Sequence, residues 1–282
     1  MESKKVSDLY GDGLGYVELL GILGDQFQPA EDARVSTNKG RLGPEKDSAL
    51  QERLLKDAHS SPFESVIAKF EIQTPLFVLR ELDRHRTLDK LGENELVTPE
   101  ENIRKWFAKS EMSGRYVQMP NEYYHPKEVR AQSKTNKQGG GYELVSPEVQ
   151  EEFLRRGVYL TNENRDFYSW AVQNGIEKGV ARIYNPLNQY TKIRYTGSIK
   201  NWCDMLYLRL PNDVLWECRM VAQAIELLLS NTFPAIMDSW RKQVYDTVRL
   251  TREEAIELAR TMVDAGREEQ NKILYEKLTK SK

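Results

Sequence analysis

The segment 59–86 constrains the fold most strongly, because a strand pattern passes directly into a helix pattern within it. Apolar and polar residues alternate from Val66 to Gln73, which predicts a strand with one buried face. Thr74 and Pro75 then predict a helix start, with Thr74 as the N-cap and Pro75 at the first helical position. The helix begins with an apolar run and ends in three basic residues at 84–86. Basic side chains that leave a buried helix favour an anion as their partner.

The rest of the chain contains more helical patterns than strand patterns. Helices are predicted over residues 46–58, 98–108, 147–179, 198–210, 216–229 and 251–280, a strand over 190–196, and a long loop with little regular structure over 120–147. The helix at 98–108 has a capping box and an apolar face that includes Phe107. Because the strands are few and separated, we expect an α+β fold over 1–282, a single domain with a small, mostly antiparallel sheet flanked by helices.

Composition excludes several classes of protein. The net charge is −2 and the pI is near 6.1, so bulk electrostatics give no attraction to nucleic acid or anionic lipid. No run reaches the roughly 18 apolar residues of a membrane span, and the first residues lack the apolar core of a secretory signal. Two cysteines and three histidines suit neither a disulfide framework nor a zinc site, so no metal is expected. We therefore expect a cytoplasmic protein without nucleic-acid or membrane partners.

Local basic clusters are the remaining places where an anion could bind. In Ser113-Gly114-Arg115 a hydroxyl, backbone N–H groups and a guanidinium can converge on one phosphate. Arg182 precedes a Pro-Leu-Asn turn, and Arg209 closes an apolar helix. Each pattern alone also fits an ordinary structural role, as a surface turn or as the salt-bridged, solvated end of a helix. The residues by themselves leave both interpretations open.

Taken together, these segments resemble the flavin-dependent thymidylate synthases. The resemblance rests on HSSPFESVIAKFEIQTPLFVLRELDRHR at 59–86, SEMSGRY at 110–116 and ARIYNPLNQYTKIRYTGSIKNWCDMLYLRL at 181–210, and extends from roughly Tyr16 to Trp240. The combination of R-H-R with a later S-G-R-Y is the specific part. The resemblance implies a homotetramer with active sites at subunit interfaces. It also implies FAD, NADPH as reductant, and 5,10-methylenetetrahydrofolate as one-carbon donor, for methylation of dUMP at C5 to dTMP.

The resemblance also implies roles for individual residues. Arg209 would be the catalytic residue, which ionises or polarises the pyrimidine through a fixed cation in a dry site. The positions that would contact FAD, or the face where flavin and folate meet, are His59, Ser61, Arg84, His85, Arg86, Glu111, Ser198, Lys200 and Asp204. The positions that would contact the nucleotide are Glu81, Arg84, Ser113, Gly114, Arg115, Arg182 and Arg209. Two arginines and backbone N–H donors suit a dianionic phosphate.

Several positions depart from the family pattern. A segment at about 88–109 is inserted, and its Glu95 competes with Glu111 for one flavin-contacting role. The chain has Ser198, Lys200 and Asp204 where the family usually has Asn, Arg and Asn. Glu81 stands in place of a glutamine, and an acid beside the pyrimidine favours a 4-amino group. C5 methylation or hydroxymethylation of dCMP or UMP is therefore the alternative activity. A helical tail is expected over about 241–282.

Three rival interpretations are weaker. A cysteine-dependent thymidylate synthase needs an activated thiolate, whereas Cys203 and Cys218 both lie in apolar helical stretches. A dinucleotide fold prompted by the glycines at 11–15 lacks a preceding hydrophobic strand. A non-catalytic nucleotide- or RNA-binding protein could use the R-H-R segment with nearby tyrosines, but the negative net charge disfavours it.

Overall fold

The computed structural model describes residues 4–85, 107–134, 140–248 and 250–264. These residues fall into two compact units that divide between Trp240 and Arg241. The strands are β1 (Lys5–Ser7), β2 (Tyr16–Leu23), β3 (Ile67–Pro75), β4 (Phe107–Glu111), β5 (Arg130–Gln132), β6 (Gly140–Leu144) and β7 (Tyr190–Ser198). The helices are α1 (Gln28–Arg34), α2 (Pro44–Lys56), α3 (Leu76–Leu82), α4 (Pro147–Gln173), α5 (Lys178–Ala181), α6 (Ile199–Arg209), α7 (Trp216–Thr232), α8 (Pro234–Trp240) and α9 (Arg252–Asp264).

The alternating segment after Val66 forms the middle strand of the main sheet. Within the described chain this sheet has five strands in the order β1-β2-β3-β7-β4, and every neighbouring pair is antiparallel. The side chains of Phe70 and Ile72 on β3 are buried, as the alternation predicts. The predicted α+β fold, with a small antiparallel sheet flanked by helices, is confirmed.

Helix α6 covers the buried face of the sheet through a single large side chain. The indole of Trp202 is buried, and its Nε1 donates to the backbone oxygens of Ala68 and Gly197 on adjacent strands. The rings of Phe70 and Phe107 pack against this indole with centroids 4.9 and 4.4 Å away. Burying a ring of this size stabilises the fold by about 2 to 3 kcal/mol. The core therefore fixes α6, whose last residue is Arg209, relative to the strands.

The start of α3 differs from the prediction at Thr74 and Pro75. Strand β3 continues through Pro75, which is the N-cap in an extended conformation, and the hydroxyl of Thr74 bonds to that of Tyr10 at 2.6 Å. The first N–H groups of α3 donate to the backbone oxygens of Gln189 and Leu187. Because a distant loop satisfies these donors, the helix needs no side-chain cap. The prediction of a threonine cap was wrong for this reason.

Two further predictions were wrong on the described residues. Phe107, expected in a helix, lies in β4, where its pairing with Gly197 of β7 places the ring against Trp202. The rest of that predicted helix, 98–106, lies outside the described residues. The expected loop at 120–147 contains β5 and β6, which form a separate antiparallel pair. Both differences arise because strand pairing between distant segments overrides local composition.

The second unit begins at Arg241 with a π-helical turn, Arg241–Tyr245, followed by α9. A helical tail was expected in this region, and its extent beyond 264 lies outside the described residues. The division into one domain with an inserted segment and a tail stays a prediction. Among the helices that are described, none is both long and apolar enough to span a bilayer.

Candidate active site

The turn that follows β4 is held in a fixed shape by its own backbone. The N–H groups of Tyr116 and Val117 both donate to the backbone oxygen of Ser113, at 3.0 and 3.1 Å. The N–H of Arg115 is 3.4 Å from the hydroxyl oxygen of Ser113. The turn is anchored to the sheet because Met112 N–H donates to the oxygen of Lys192 on β7. The predicted Ser113-Gly114-Arg115 group therefore sits on a rigid strand end.

Gly114 is the point where this turn meets Arg182. A Cβ at position 114 would lie 2.9 Å from the sulfur of Met119 and 3.1 Å from Cδ of Arg182. Met119 belongs to a buried cluster with Tyr168, whose hydroxyl accepts from the Met119 N–H at 3.3 Å. A side chain at 114 would displace the sulfur or the arginine stem. Glycine at this position lets the turn and Arg182 approach each other closely.

An open cavity of about 620 Å³ lies beside this turn. Its lining comprises Leu76, Arg80, Glu111, Met112, Ser113, Met119, Gly179, Arg182, Ile183, Asn185, Leu187 and Gln189. Arg182 is exposed at the start of a short 3-10 turn, and Arg115 is exposed on the neighbouring turn. Within the described part of the chain, no carboxylate pairs with either guanidinium. Unpaired guanidinium groups beside a glycine turn suit a phosphate.

Glu111 gives the same cavity an acceptor group. It is the last residue of β4, and its Oε1 accepts from the hydroxyl of Thr191 at 3.0 Å. The sequence prediction chose Glu111 over Glu95, and Glu111 does line the cavity. Glu95 lies outside the described residues, so the competition between the two is not tested.

A second cluster forms around Arg209 at the end of α6. Its Nε donates to Nε2 of His85 at 2.9 Å, and one Nη donates to the backbone oxygen of Glu81 at 3.0 Å. The other Nη is 3.4 Å from a carboxylate oxygen of Glu81. The Arg209 side chain is 16% exposed, so its charge is partly desolvated and directed by these contacts. The alternative interpretation of Arg209, as the solvated end of a helix, does not hold.

His85 is neutral in this cluster. Burial, with the nearby charges of Arg209 and Lys109, lowers the pKa of His85 to about 4. Because Nε2 accepts a hydrogen bond from Nε of Arg209, the proton of the neutral imidazole must be on Nδ1. The neutral imidazole accepts the hydrogen bond from Arg209 without placing a second positive charge beside the guanidinium.

The two clusters are joined by consecutive residues of α3. Arg80 lines the 620 Å³ cavity, whereas Glu81, the next residue, contacts Arg209. Arg209 is not part of that cavity's lining among the described residues. Two groups of predicted site residues thus form within one chain. The first contains Ser113, Gly114 and Arg182, and the second contains Arg209, His85 and Glu81.

Two of the predicted flavin positions, His59 and Ser61, line a different cavity of about 660 Å³, together with Asp32 and Glu64. Two others lie elsewhere: Glu111 lines the 620 Å³ cavity, and His85 contacts Arg209. The short turn that carries Ser61 packs against α6, where Ser198 caps the helix by accepting from Asn201 N–H at 3.2 Å. Further along α6, Lys200 and Asp204 form an ion pair at 3.1 Å. Arg84 is exposed just beyond α3, and Arg86 lies outside the described residues.

Sequence reasoning missed three polar residues of the 620 Å³ cavity: Arg80, Asn185 and Gln189. The signal for Arg80 was present, since it lies four residues before Arg84 in the helix that the sequence predicts. Gln189 is buried and donates to the backbone oxygen of Pro120 at 3.0 Å. No local pattern identifies such a residue, because its position depends on a contact with a distant loop.

The cysteines do not form a nucleophilic centre. Both Cys203 and Cys218 are buried, and burial raises the pKa of each thiol, in Cys218 to about 12. A thiol with a raised pKa stays protonated and unreactive at neutral pH. In the described ranges, no group of three or more histidine, cysteine or carboxylate side chains is arranged to hold a metal ion.

The sequence of this chain is similar to the sequences of known proteins over most of its length. The family model described as thymidylate synthase complementing protein matches residues 22–235. A flavin-dependent thymidylate synthase from Thermus thermophilus is 30% identical over 240 residues, which are 85% of this chain and 80% of the relative. One from Dictyostelium discoideum is 32% identical over 239 residues, covering 83% of this chain and 71% of that protein.

A similar fold occurs among solved structures. The UMP/dUMP methylase PolB from Streptomyces cacaoi, bound with 5-Br dUMP, superposes with a TM-score of 0.67 at 21% identity. The match covers 85% of this chain and 96% of that chain. The same protein bound with 5-Br UMP gives a TM-score of 0.66. At this level of identity, the likeness concerns the fold alone.

Proposed function

This chain belongs to the flavin-dependent thymidylate synthase family, and from that membership we propose that it methylates dUMP reductively at C5, giving dTMP. It is an enzyme of the methyltransferase type. The observation that carries the proposal for the substrate is the cavity where the turn at Ser113 and Gly114 meets the unpaired guanidinium of Arg182. That arrangement suits the phosphate of a nucleoside monophosphate.

The phosphate end of the substrate would be held by hydroxyl, backbone and guanidinium donors. Ser113 supplies the hydroxyl, the backbone of Ser113 and Gly114 supplies N–H groups, and Arg115 and Arg182 supply positive charge. The hydroxyl and the backbone donors are fixed before substrate binds, because the turn is tied to β7 and packed on Met119. Preorganised donors cost little reorganisation when the phosphate arrives.

Arg209 is proposed to stabilise negative charge on the pyrimidine. Its guanidinium is held by His85 and Glu81 at the edge of the core, where the effective dielectric is lower than in water. A fixed cation there favours a uracil anion over a neutral ring when C5 becomes nucleophilic. Because His85 is neutral, it positions Arg209 without adding charge of its own.

The flavin of this family is proposed to be FAD, with NADPH as reductant and 5,10-methylenetetrahydrofolate as one-carbon donor. When bound, the flavin supplies the redox chemistry that reduces the transferred one-carbon group. The residues present fit such a group, because the 660 Å³ cavity is open and carries the imidazole of His59 and the hydroxyl of Ser61. Arg84 does not line this cavity, but it is exposed without a carboxylate partner in the described chain, and such a guanidinium suits a pyrophosphate.

A homotetramer in the cytoplasm, with no nucleic-acid partner, is the proposed state of the enzyme. Arg209 does not line the described cavity beside the phosphate-binding turn, and the proposal is that residues of a second copy complete the site. An exposed apolar surface on α4 supports association between copies.

UMP or dCMP is the second candidate substrate. The carboxylate of Glu81 lies 3.4 Å from a nitrogen of Arg209 and could accept from the 4-amino group of a cytosine. PolB, which has the same fold, was solved with both 5-Br dUMP and 5-Br UMP. Transfer of a hydroxymethyl instead of a methyl group belongs to the same alternative.

The first experiment is an absorption spectrum of the purified protein. We expect a yellow protein with bound FAD that bleaches on addition of NADPH. The variant Arg209→Ala should keep its FAD, because the proposed role of Arg209 is on the pyrimidine, but should lose at least about a hundredfold in turnover of dUMP. A protein that stays colourless after reconstitution with FAD would contradict the proposed cofactor. Normal turnover by the variant would contradict the role of Arg209.

A further inference from the structure

Two amide side chains, those of Asn185 and Gln189, line the 620 Å³ cavity and have no part in the proposed function. Both follow the 3-10 turn that begins with Arg182, and the N–H of Asn185 donates to the backbone oxygen of Arg182 at 3.0 Å. Asn185 is therefore held close to the residue whose guanidinium is proposed to bind the phosphate. An amide can offer a ligand either a donor or an acceptor, so its role depends on which of its atoms remains for the ligand.

The orientation of both amides is fixed by one backbone oxygen. Gln189 is buried, and its Nε2 donates to the backbone oxygen of Pro120 at 3.0 Å. Because a carbonyl oxygen only accepts, the nitrogen of the Gln189 amide must lie at this end and its Oε1 at the other. Oε1 accepts in turn from Nδ2 of Asn185 at 2.9 Å. The nitrogen of the Asn185 amide is thus directed at Gln189, and Oδ1 is the atom that remains for a ligand.

Oδ1 of Asn185 is an acceptor that receives no hydrogen bond from the described part of the chain. The side chain is half-buried, so this oxygen gains from a donor on a ligand that displaces water from the cavity. A phosphate offers acceptor oxygens and does not suit this position. The ligand group beside Asn185 is therefore an O–H or an N–H, in contrast to the anion beside Arg182.

A nucleoside monophosphate carries donors on its sugar and on its base. The base is proposed to lie at Arg209, which is not among the described residues that line this cavity. Asn185 lies three residues beyond Arg182, which corresponds to about 6 Å of rise on a 3-10 turn. With the phosphate between Ser113 and Arg182, the hydroxyls of the adjoining sugar are the donors nearest to the phosphate. The position of Asn185 therefore favours a sugar hydroxyl over a group of the base.

We propose that Asn185 recognises a sugar hydroxyl of the nucleotide through a hydrogen bond that its Oδ1 accepts, and that Gln189 positions the amide for this contact. The inference rests on the proposed function, because it takes the phosphate to lie in this cavity. In dUMP the hydroxyl is the 3′-OH, and the 2′-OH of UMP has the same chemistry. Asn185 is then a residue that selects nucleotides with this hydroxyl over nucleotides without it.

The test is isothermal titration of the full-length, flavin-loaded protein with dUMP, UMP and 2′,3′-dideoxyuridine 5′-monophosphate. Wild type should bind dUMP about tenfold more tightly than the dideoxy nucleotide, through one hydrogen bond. Asn185→Leu, which keeps the size of the side chain and removes its polar atoms, should bind dUMP about tenfold more weakly and the dideoxy nucleotide as wild type does. Asn185→Ala, which adds no apolar bulk, should show the same selective loss. Asn212→Leu, at an exposed asparagine outside this cavity, is the control and should match wild type.

The titration with UMP identifies the hydroxyl. A similar loss of affinity for UMP and dUMP in both Asn185 variants assigns the 3′-OH, which is the result we expect. A loss for UMP alone supports the contact and assigns it to the 2′-OH.

Two results would overturn the inference and leave the proposed function standing. One is that both Asn185 variants bind all three nucleotides with the affinities of wild type. The other is that both variants weaken the dideoxy nucleotide as much as dUMP, since the contact would then be to the base or the phosphate. If none of the three nucleotides binds to wild type, the proposed substrate class is contradicted, and the inference fails with it.

Discussion

Arg209 directs every nitrogen of its guanidinium toward the end of α3. The Nε group reaches His85, and the two Nη groups reach the backbone and the carboxylate of Glu81. A guanidinium that is contacted at each of its three nitrogens has one orientation, which is what a group that stabilises charge on a substrate requires. The side chain that fixes Nε is an imidazole that must stay neutral to accept this hydrogen bond.

The neutrality of His85 predicts a dependence of stability on pH. Its pKa is about 4 in the folded protein against an ordinary value of 6.5. Between these values the unfolded chain binds a proton that the folded chain does not, so the free energy of unfolding falls as the pH drops from 6.5 to 4. The measurement is urea denaturation of wild type and His85→Gln at about pH 7 and about pH 5, where wild type should lose more stability than the variant.

His59→Gln, which removes an imidazole from a different cavity, is the matched control. It should retain the difference in stability between the two pH values that wild type shows. Equal losses in wild type and His85→Gln would refute the assignment of a neutral, buried imidazole.

At this scale the sequence predicts residue types better than it predicts contacts. The motifs identify Ser113, Gly114, Arg182 and Arg209 as candidates, and each has a defined place in a cavity or cluster. The hydrogen bond between Arg209 and His85 joins residues 124 positions apart, and no local pattern encodes it. Their proposed roles in binding and catalysis stay predictions.

At the scale of elements, α4 carries an apolar surface that the other described residues leave exposed. The helix runs from Pro147 to Gln173, and its exposed large apolar residues are Val149, Phe153, Val158, Tyr159, Leu160, Phe167 and Trp170. The ring of Phe167 meets Tyr184 edge-on at 5.3 Å, on the 3-10 turn that begins with Arg182. The apolar surface therefore reaches the turn whose Arg182 and Ile183 line the 620 Å³ cavity. A patch of this kind indicates an interface with another protein surface.

The prediction is that this surface joins copies of the chain. Replacing Phe167 and Trp170 together by Glu should shift the protein to a smaller species, because charges at an apolar interface are left desolvated. Light scattering after size-exclusion chromatography measures the shift. Leu42→Glu, an exposed leucine on another part of the chain, is the control and should leave the mass unchanged. An unaltered mass for the double variant would contradict an interface on α4.

The elements that the sequence predicts well are those with strong periodicity. Strands β3 and β7 and helices α2, α4, α6 and α7 lie where their patterns place them, within a few residues. The hairpin of β5 and β6 lies in a stretch rich in glycine, asparagine and lysine, which favours a loop. Strand β4 depends on pairing with β7, far away in sequence. Patterns within one short segment cannot specify such pairings.

At the scale of the molecule, the proposed functions of the active site belong to three places: two cavities and one cluster of side chains. The cavity at Ser113 and Arg182 suits a phosphate, the cavity at His59 and Ser61 suits a flavin, and the cluster at Arg209 suits a pyrimidine. The family match over residues 22–235 covers all three. If a second copy completes the site, as proposed, activity should depend on assembly of several copies.

The most direct test of this account is release of tritium from C5-labelled nucleotides. The flavin-loaded protein is incubated with NADPH, 5,10-methylenetetrahydrofolate and labelled dUMP, UMP or dCMP in separate reactions, and the products are identified by mass spectrometry. We predict tritium release from dUMP with formation of an equal amount of dTMP. Release from UMP or dCMP instead would support the proposed C5 methylation and show that the substrate is not dUMP. Absence of release from all three nucleotides, in protein that holds FAD, would contradict the account.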